Sequence, residues 1–246
     1  MNTGSAQERL LSEQRAYYSA LAPDYLDQLL DLPGAAEPAE ALDAFRPVGS
    51  VLELACGPGT WTPRLLRHAG DVTAVDASPD MLAIAASRVS DGAQVRFVEA
   101  DLFAWEPDRR YDVVFMGCWL SHVPAWRFEA FWSLVATALA PQGRVFFVDD
   151  HHRTPEELVE GPASSTIERR IPDGTAYRIV KVAYEPAELE RRLRELGWEI
   201  TVTPTAGPFF WGAGGHGNTP RTRSGSAGHP PSEPLTGSDA QAPSPW

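Results

Sequence analysis

The sequence predicts a doubly wound α/β domain with a mostly parallel, seven-stranded sheet and a β-hairpin inserted after the fifth strand. Short apolar runs alternate with segments long enough for helices, and an Asp-Gly pair separates two alternating segments in the C-terminal half. Strands separated by helical segments are typical of βαβ units, whose parallel sheet is covered on both faces. A chain of 246 residues with 43% hydrophobic content can build one such domain.

The first half of the sheet is predicted from five apolar runs, at 50–55, 71–76, 94–99, 111–116 and 144–149. The helical segments among them are 61–69, 79–89 and 125–140. Ser78 followed by Pro79 is typical of a helix start, because serine caps a backbone N–H and proline fits the first turn. The first 30 residues are predicted to form one or two helices.

The C-terminal part changes character after the fifth strand. Segments 166–171 and 176–182 flank a Pro-Asp-Gly-Thr turn, which predicts a hairpin within an insertion at about 150–184. A helix at 186–196 and strands at 199–203 and 209–211 complete the predicted domain. Gly, Pro, Ser and Thr dominate residues 212–246, so we expect a domain at 1–211 and a disordered tail at 212–246.

Composition excludes several classes of protein. The formal net charge of −12 argues against a nucleic-acid partner, whose phosphates favour a basic face. No apolar run approaches the roughly 20 residues of a membrane span, and the polar N-terminus lacks a signal-peptide core. Cys56 and Cys118 form neither a disulfide framework nor a metal cluster. We therefore expect a cytoplasmic protein with no membrane partner.

A glycine-containing turn directly after the first strand carries the strongest chemical signal. Gly57 and Gly59 lie between a strand and a helix, where a backbone without Cβ atoms lets a ligand approach closely. Thr62 takes the place of the third glycine of the dinucleotide fingerprint, which disfavours a nicotinamide dehydrogenase. Glu53 precedes the turn, and Asp76 ends the second strand, where its carboxylate could accept both hydroxyls of a ribose.

These features resemble the class I S-adenosylmethionine-dependent methyltransferases, particularly the branch that acts on small molecules. The resemblance covers about residues 17–211 and implies a Rossmann-like methyltransferase fold with S-adenosyl-L-methionine as cofactor. Its motifs, in order, are E-L-A-C-G-P-G-T at 53–60, A-V-D-A-S at 74–78, E-A-D-L at 99–102, Y-D-V-V-F-M-G at 111–117 and L-A-P-Q-G-R-V-F at 139–146.

The resemblance also implies a set of cofactor-binding residues and a helical lid at about 5–31. The set is Tyr17, Tyr25, Glu53, Ala55, Gly57, Gly59, Asp76, Ala77, Met81, Asp101, Leu102, Gly117 and Cys118. In this set Asp76 binds the ribose diol, Asp101 accepts from the adenine amine, and Glu53 orients the neighbouring loop and the amino group. The simpler alternative is structural, with Asp76 and Asp101 as caps of a strand end and a turn.

His122 follows the fourth strand, where the transferred methyl group is expected to lie. Methyl transfer to an alcohol or phenol benefits from a general base, and imidazole titrates in a suitable range. We therefore predict His122 as the catalytic base, which favours O-methylation over N- or C-methylation. The alternative is a loop histidine that holds a backbone carbonyl.

Trp119, His151 and Trp211 are predicted to bind the substrate, because they follow or flank the carboxyl ends of the strands. The Asp-Asp-His-His run at 149–152 raises a metal site as an alternative, but we expect no metal. The hairpin could cap the pocket or mediate a homodimer. Its basic residues could steer an anionic substrate or form a solvated face; they are Arg169, Arg170, Arg178 and Lys181.

Taken together, the residues predict an enzyme that methylates a small molecule, in bacterial secondary metabolism. Two alternatives stay open, because a fold does not determine function. One is an enzyme that binds the same cofactor but catalyses a step without methyl transfer. The other is a scaffold partner without catalytic activity, which would bind the cofactor weakly.

Overall fold

The computed structural model describes residues 3–28 and 32–217, and it has the predicted α/β architecture. The strands in this part of the chain are β1 (Gly49–Leu54), β2 (Ala69–Asp76), β3 (Val95–Glu99), β4 (Tyr111–Gly117), β5 (Leu139–Asp150), β6 (Thr166–Arg170), β7 (Ala176–Val180), β8 (Trp198–Pro204) and β9 (Phe209–His216). The helices are α1 (Thr3–Leu21), α2 (Ala36–Phe45), α3 (Thr62–Leu65), α4 (Pro79–Ser87), α5 (Phe128–Ala138) and α6 (Pro186–Glu195).

Seven strands form one sheet in the order β3-β2-β1-β4-β5-β9-β8. The strands from β3 to β5 run parallel, whereas β9 is antiparallel to both β5 and β8. The strand order reverses between β1 and β4, and such a switch point opens a crevice at the carboxyl ends of the strands. The predicted fold class is confirmed, and it locates the ligand crevice.

Both faces of the sheet are buried, as expected for a parallel sheet between helices. On one face Leu52 of β1 belongs to a cluster with Trp132 of α5, while Val51 points to the opposite cluster with Leu42 of α2 and Leu65 of α3. All five side chains are at most 1% exposed. This packing holds β1 and β4 in place beneath the crevice.

The hairpin of β6 and β7 forms a separate two-stranded sheet, as predicted. Ile167 and Ile179 pack with Tyr17 and Leu21 of α1 in a small apolar cluster of their own. Helix α1 and the hairpin therefore form one layer over the crevice. Two 3-10 turns, Ala22–Asp24 and Leu26–Gln28, continue α1, and the predicted lid residues 29–31 lie outside the described residues.

Two predicted boundaries and one missed helix need correction. The helix expected at 61–69 is only α3, because β2 already begins at Ala69, which pairs with Gly49 of β1. Helix α2 was not predicted. Strand β9 continues through residues 212–216, which the sequence placed in the tail. The rest of that predicted tail, 218–246, lies outside the described residues.

The glycines of β9 explain the last error. A Cβ at Gly212 would overlap the Phe147 ring of β5, and one at Gly214 would overlap the Glu199 carbonyl of β8. Glycine therefore permits close packing of β9 between its two neighbours, although the same composition is typical of disorder. Within the described residues, no helix is long and apolar enough to cross a membrane.

Candidate functional site

The glycine turn after β1 has an unusual backbone. Ala55, Gly57 and Gly59 all have positive φ, at 53°, 54° and 75°. A Cβ at Gly57 would meet nothing within 4 Å, whereas one at Gly59 would lie 3.0 Å from Ala85 of α4. Gly57 therefore faces open space in the crevice, and Gly59 permits the close approach of α4.

Asp76 connects this turn to the start of α4. Its Oδ2 accepts the Gly57 N–H at 2.8 Å, and its Oδ1 accepts the Ser78 N–H at 2.9 Å. Burial raises the pKa of Asp76, against the opposing effect of these backbone bonds. Each carboxylate oxygen retains a further lone pair, so Asp76 can hold the turn and still accept from a ligand.

Glu53 supports the turn from beneath. It is 1% exposed, and its Oε2 accepts a 2.7 Å hydrogen bond from the Thr62 hydroxyl. Burial raises the pKa of Glu53 to about 8, although the Thr62 bond opposes that shift. Glu53 thus bonds to the start of α3 without lining a cavity, and its role in orienting the loop stays a prediction.

A first cavity opens at the carboxyl ends of β1, β2 and β4. The predicted cofactor-binding residues that line it are Tyr25, Ala55, Gly57, Asp76, Ala77, Met81, Asp101, Leu102, Gly117 and Cys118. Tyr17, Glu53 and Gly59 do not line it, so direct contact by these three has no support from the geometry. Trp119, predicted for the substrate, lies in this cavity against the Phe103 ring at 5.7 Å.

One face of α1 completes the first cavity, and the sequence analysis did not find it. The residues of this face are Leu11, Gln14, Arg15 and Tyr18, and their spacing is that of a single helical stripe. That spacing was a readable signal, although an ordinary core-facing helix shows the same pattern. Arg15 Nη1 donates to Asp101 Oδ2 at 2.9 Å, which ties α1 to the predicted adenine-binding carboxylate.

A second cavity of about 600 Å³ lies between α1, the hairpin and the end of β5. Tyr17, His122, Arg169 and Lys181 are among the residues that line it. Tyr18, Tyr25 and Cys118 line both cavities, so these three side chains form a shared wall. Ligands in the two cavities would therefore meet at this wall.

His122 is fully engaged within the protein. Its Nδ1 lies 2.6 Å from the Val180 carbonyl oxygen, and its Nε2 lies 2.8 Å from the Tyr18 hydroxyl. A carbonyl can only accept, so Nδ1 carries the proton and Nε2 accepts from Tyr18. Burial, with Lys181 and Arg169, lowers the pKa of His122 to about 3. This geometry matches the carbonyl-holding alternative and gives no support to His122 as the base.

Lys181 is buried in a polar network at the end of β5. Its Nζ donates to Asp150 Oδ2 at 2.9 Å and to the Ser121 hydroxyl at 3.1 Å. Burial raises the pKa of Asp149. Burial also acts to raise the pKa of Asp150, but Lys181, the His152 N–H and Arg169 together hold it below its ordinary value. Both carboxylates are thus committed to the fold. In the part of the chain that the structure describes, no three His, Cys, Asp or Glu side chains converge as a metal site.

Two other predicted substrate residues lie elsewhere. Trp211 stacks on Phe146 with ring centroids 5.6 Å apart and lines neither cavity. His151 is exposed and lines neither cavity, whereas its neighbour His152 lines the second. The predicted substrate contact by His151 therefore has no support from this geometry, whereas the next histidine along the chain reaches the second cavity.

Comparisons with known proteins agree with this geometry. The model of a methyltransferase domain matches residues 51–143. Trans-aconitate 2-methyltransferase of Escherichia fergusonii is 41% identical over 96 residues, which are 38% of this chain and only 36% of that enzyme. The structure of a DhpI–SAH complex has a TM-score of 0.73 at 42% identity, covering 85% of this chain and 98% of DhpI. A DhpI–SAM–HEP complex aligns with a TM-score of 0.74 at 41% identity, covering 83% of this chain and 96% of the other.

The chain belongs to the class I S-adenosylmethionine-dependent methyltransferases. S-adenosylmethionine is its cofactor, and the residues of the first cavity fit this molecule. Gly57 leaves open space where any other residue would place a Cβ, and Asp76 and Asp101 supply carboxylate oxygens. Met81, Leu102 and Phe103 add the apolar surface that an adenine ring requires.

Proposed function

We propose that this protein transfers the methyl group of S-adenosylmethionine to an acidic oxygen of a small molecule in the second cavity. The observation that carries this proposal is the wall shared by the two cavities. Three residues line both cavities: Tyr18 of α1, Tyr25 in the turns that continue α1, and Cys118 directly after β4. A small molecule beyond this wall would face the cofactor without leaving the protein interior.

The cations that line the second cavity support an acidic acceptor, although four carboxylates, Asp150, Glu156, Glu157 and Glu168, line it as well. Arg169 is three-quarters buried, and its Nε donates to Glu157 at 2.7 Å. A guanidinium carries five N–H donors, so this bond leaves Arg169 with capacity for a second oxyanion. Lys181 lines the same space. Burial raises the pKa values of Tyr17 and Tyr25, which keeps both phenols neutral and able to donate.

The state of His122 supports the same class of acceptor. An alcohol or a phenol must lose a proton during methyl transfer, which calls for a base. His122 has both nitrogens engaged, and Asp150 is paired with Lys181. A carboxylic acid has a pKa near 4 and arrives already ionised at neutral pH. Such an acceptor needs positioning but no base, and trans-aconitate 2-methyltransferase is named for an acceptor of this kind.

In this proposal the residues of the chain bind, orient and exclude water. The cofactor supplies an electrophilic methyl group, and good alignment of the acceptor accounts for much of the rate. Asp76, Asp101 and Gly57 hold the cofactor, whereas Arg169 holds the acceptor. Helix α1 lines both cavities and the hairpin lines the second, which limits the access of water to the reacting atoms.

The test is an acceptor panel with the full-length protein and S-adenosylmethionine. The panel contains trans-aconitate, other di- and tricarboxylates and organic phosphates, with neutral alcohols, phenols and amines of matched size. Release of S-adenosylhomocysteine and a product heavier by one methylene group are measured. We expect activity on acids, and the methyl esters formed from carboxylic acids should be cleaved by mild alkali. Turnover confined to phenols or amines would contradict the proposal, and cofactor consumption without a methylated product would favour a non-methylating enzyme.

A further inference from the structure

Three residues from three elements form a closed hydrogen-bond ring beside the shared wall, and Tyr18 joins it through one further hydrogen bond. Val180 of β7 donates its N–H to Gln14 Oε1 at 2.9 Å, and Gln14 Nε2 donates to the His122 carbonyl at 3.2 Å. His122 Nδ1 donates back to the Val180 carbonyl at 2.6 Å, and Tyr18 donates to His122 Nε2 at 2.8 Å. The ring joins α1 to the hairpin and to the loop after β4.

The hydrogen bonds at His122 and Tyr18 determine which atoms of these two side chains donate. Tyr18 has a single hydroxyl proton, and His122 Nε2 accepts it. The remaining lone pairs of the Tyr18 oxygen can therefore only accept, and Tyr18 lines both cavities. The Tyr18 ring is held in turn by an edge contact with the His122 ring, with centroids 5.4 Å apart.

We propose that His122 is a positioning residue that holds the Tyr18 hydroxyl as an acceptor-only group at the wall between the cavities. An oxygen held in this way presents partial negative charge to the place where the cofactor meets the acceptor. It favours the cationic sulfonium of S-adenosylmethionine over the neutral thioether of S-adenosylhomocysteine. The inference rests on the proposed function only for the activity measurement, because cofactor preference is measured without an acceptor.

Two substitutions at one position separate this role from the alternatives. In His122→Gln the amide oxygen replaces Nε2, so it still accepts from Tyr18 while the bond to the Val180 carbonyl is lost. In His122→Asn the amide nitrogen replaces Nδ1, so it still donates to Val180 but is too short to reach Tyr18. Tyr18→Phe removes the oxygen and keeps the ring, and Tyr177→Phe is a matched control outside both cavities.

The first readout is the ratio of the dissociation constants of S-adenosylmethionine and S-adenosylhomocysteine, measured by calorimetry. We expect His122→Asn and Tyr18→Phe to shift this ratio toward S-adenosylhomocysteine by roughly fivefold, about the effect of one hydrogen bond. His122→Gln and Tyr177→Phe should keep the wild-type ratio. The melting temperatures should rank the two variants in the opposite order. His122→Gln should be less stable than His122→Asn, because in it the Val180 carbonyl loses its hydrogen-bond donor.

Activity gives the second readout, once an acceptor is known. His122→Gln should retain more of kcat than His122→Asn, although it is the less stable of the two. If both variants lose activity equally and the affinity ratio stays at the wild-type value, His122 acts as a base and the inference is overturned. An unchanged ratio in Tyr18→Phe overturns it as well. Failure of the acceptor panel would leave the affinity ratio measurable, so the two proposals fail separately.

Discussion

The first and second cavities lie on either side of one wall but are assembled in different ways. The first depends mainly on short turns at successive strand ends, where the Gly57 N–H donates to the Asp76 carboxylate. The second depends on side chains far apart in the chain, such as Tyr18 and His122, 104 positions apart. Binding of the cofactor is therefore a property of local motifs, whereas selection of the acceptor depends on how α1 and the hairpin pack.

From this difference we expect substitutions in the first cavity to change only the affinity for the cofactor, and to have the largest effects. In Asp76→Ala the turn loses two backbone contacts and the cofactor loses its ribose partner, so we expect the affinity for S-adenosylmethionine to fall by roughly a hundredfold. Calorimetric titration measures this change. Asp80→Ala, an exposed position at the start of α4, is the control. Wild-type affinity in Asp76→Ala would remove Asp76 from the cofactor site.

Substitutions in the second cavity should change only the KM for the acceptor. Arg169→Gln removes a buried cation, and we expect KM for an acidic acceptor to rise about tenfold while cofactor affinity is unchanged. Arg178→Gln is a matched control, because Arg178 lies on the same hairpin but lines neither cavity. Equal effects of the two substitutions on KM would show that the hairpin cations act through the long-range electrostatic potential and not through direct contact with the acceptor.

A substitution of Glu53 tests how far the stability of the protein depends on the buried acid beneath the glycine turn. Its pKa is raised to about 8 in the folded state, so the folded protein holds this proton more tightly than the unfolded chain does. The resulting stabilisation is complete below the unfolded value near 4.3 and is lost as the pH rises through about 8. We expect the melting temperature to fall from pH 5 to pH 9, and Glu53→Gln to lessen this fall by about 5 °C. Parallel profiles for both proteins would show that Glu53 is not protonated in the fold.

Arg15 tests the comparison between the two cavities, because it belongs to α1 and lines the first cavity. Its ion pair with Asp101 is about two-fifths exposed, and such pairs contribute little. We therefore expect Arg15→Gln to weaken cofactor binding only two- to threefold, with Arg9→Gln as the exposed control on the same helix. A tenfold or larger loss would mean that closure of α1 is itself coupled to the cofactor.

Sequence reasoning reached most of the first cavity because its signals are local. The glycine turn, Asp76 and the Ser78 cap lie within a few residues of strand ends that apolar runs reveal. The Ser78 hydroxyl indeed accepts the Met81 N–H at 3.3 Å. The errors are also local in origin: Gly59 was assigned to the cofactor, but its lack of a Cβ accommodates Ala85 of α4.

The second cavity was less accessible to sequence reasoning, since its members come from α1, the loop after β4 and the hairpin. His122 was found, but its role was predicted from its position after a strand, and its partners Tyr18 and Val180 were not found. Trp211 and His151 stay predictions without support from the cavity linings, because whether a side chain near a strand end reaches a cavity depends on how the surrounding elements pack. The glycines of β9 show the limit most clearly, since composition alone cannot distinguish close packing from disorder.

The sequence by itself determined the class of fold, because the periodicity of apolar residues acts over a few residues. Its motifs indicated the cofactor through their resemblance to a known family, and they identified the glycine turn after β1. Only the tertiary structure decided which side chains surround the acceptor and which protons His122 and Tyr18 carry. Those properties depend on burial and on hydrogen bonds between elements more than a hundred residues apart, and both arise only when α1, the hairpin and the sheet pack together.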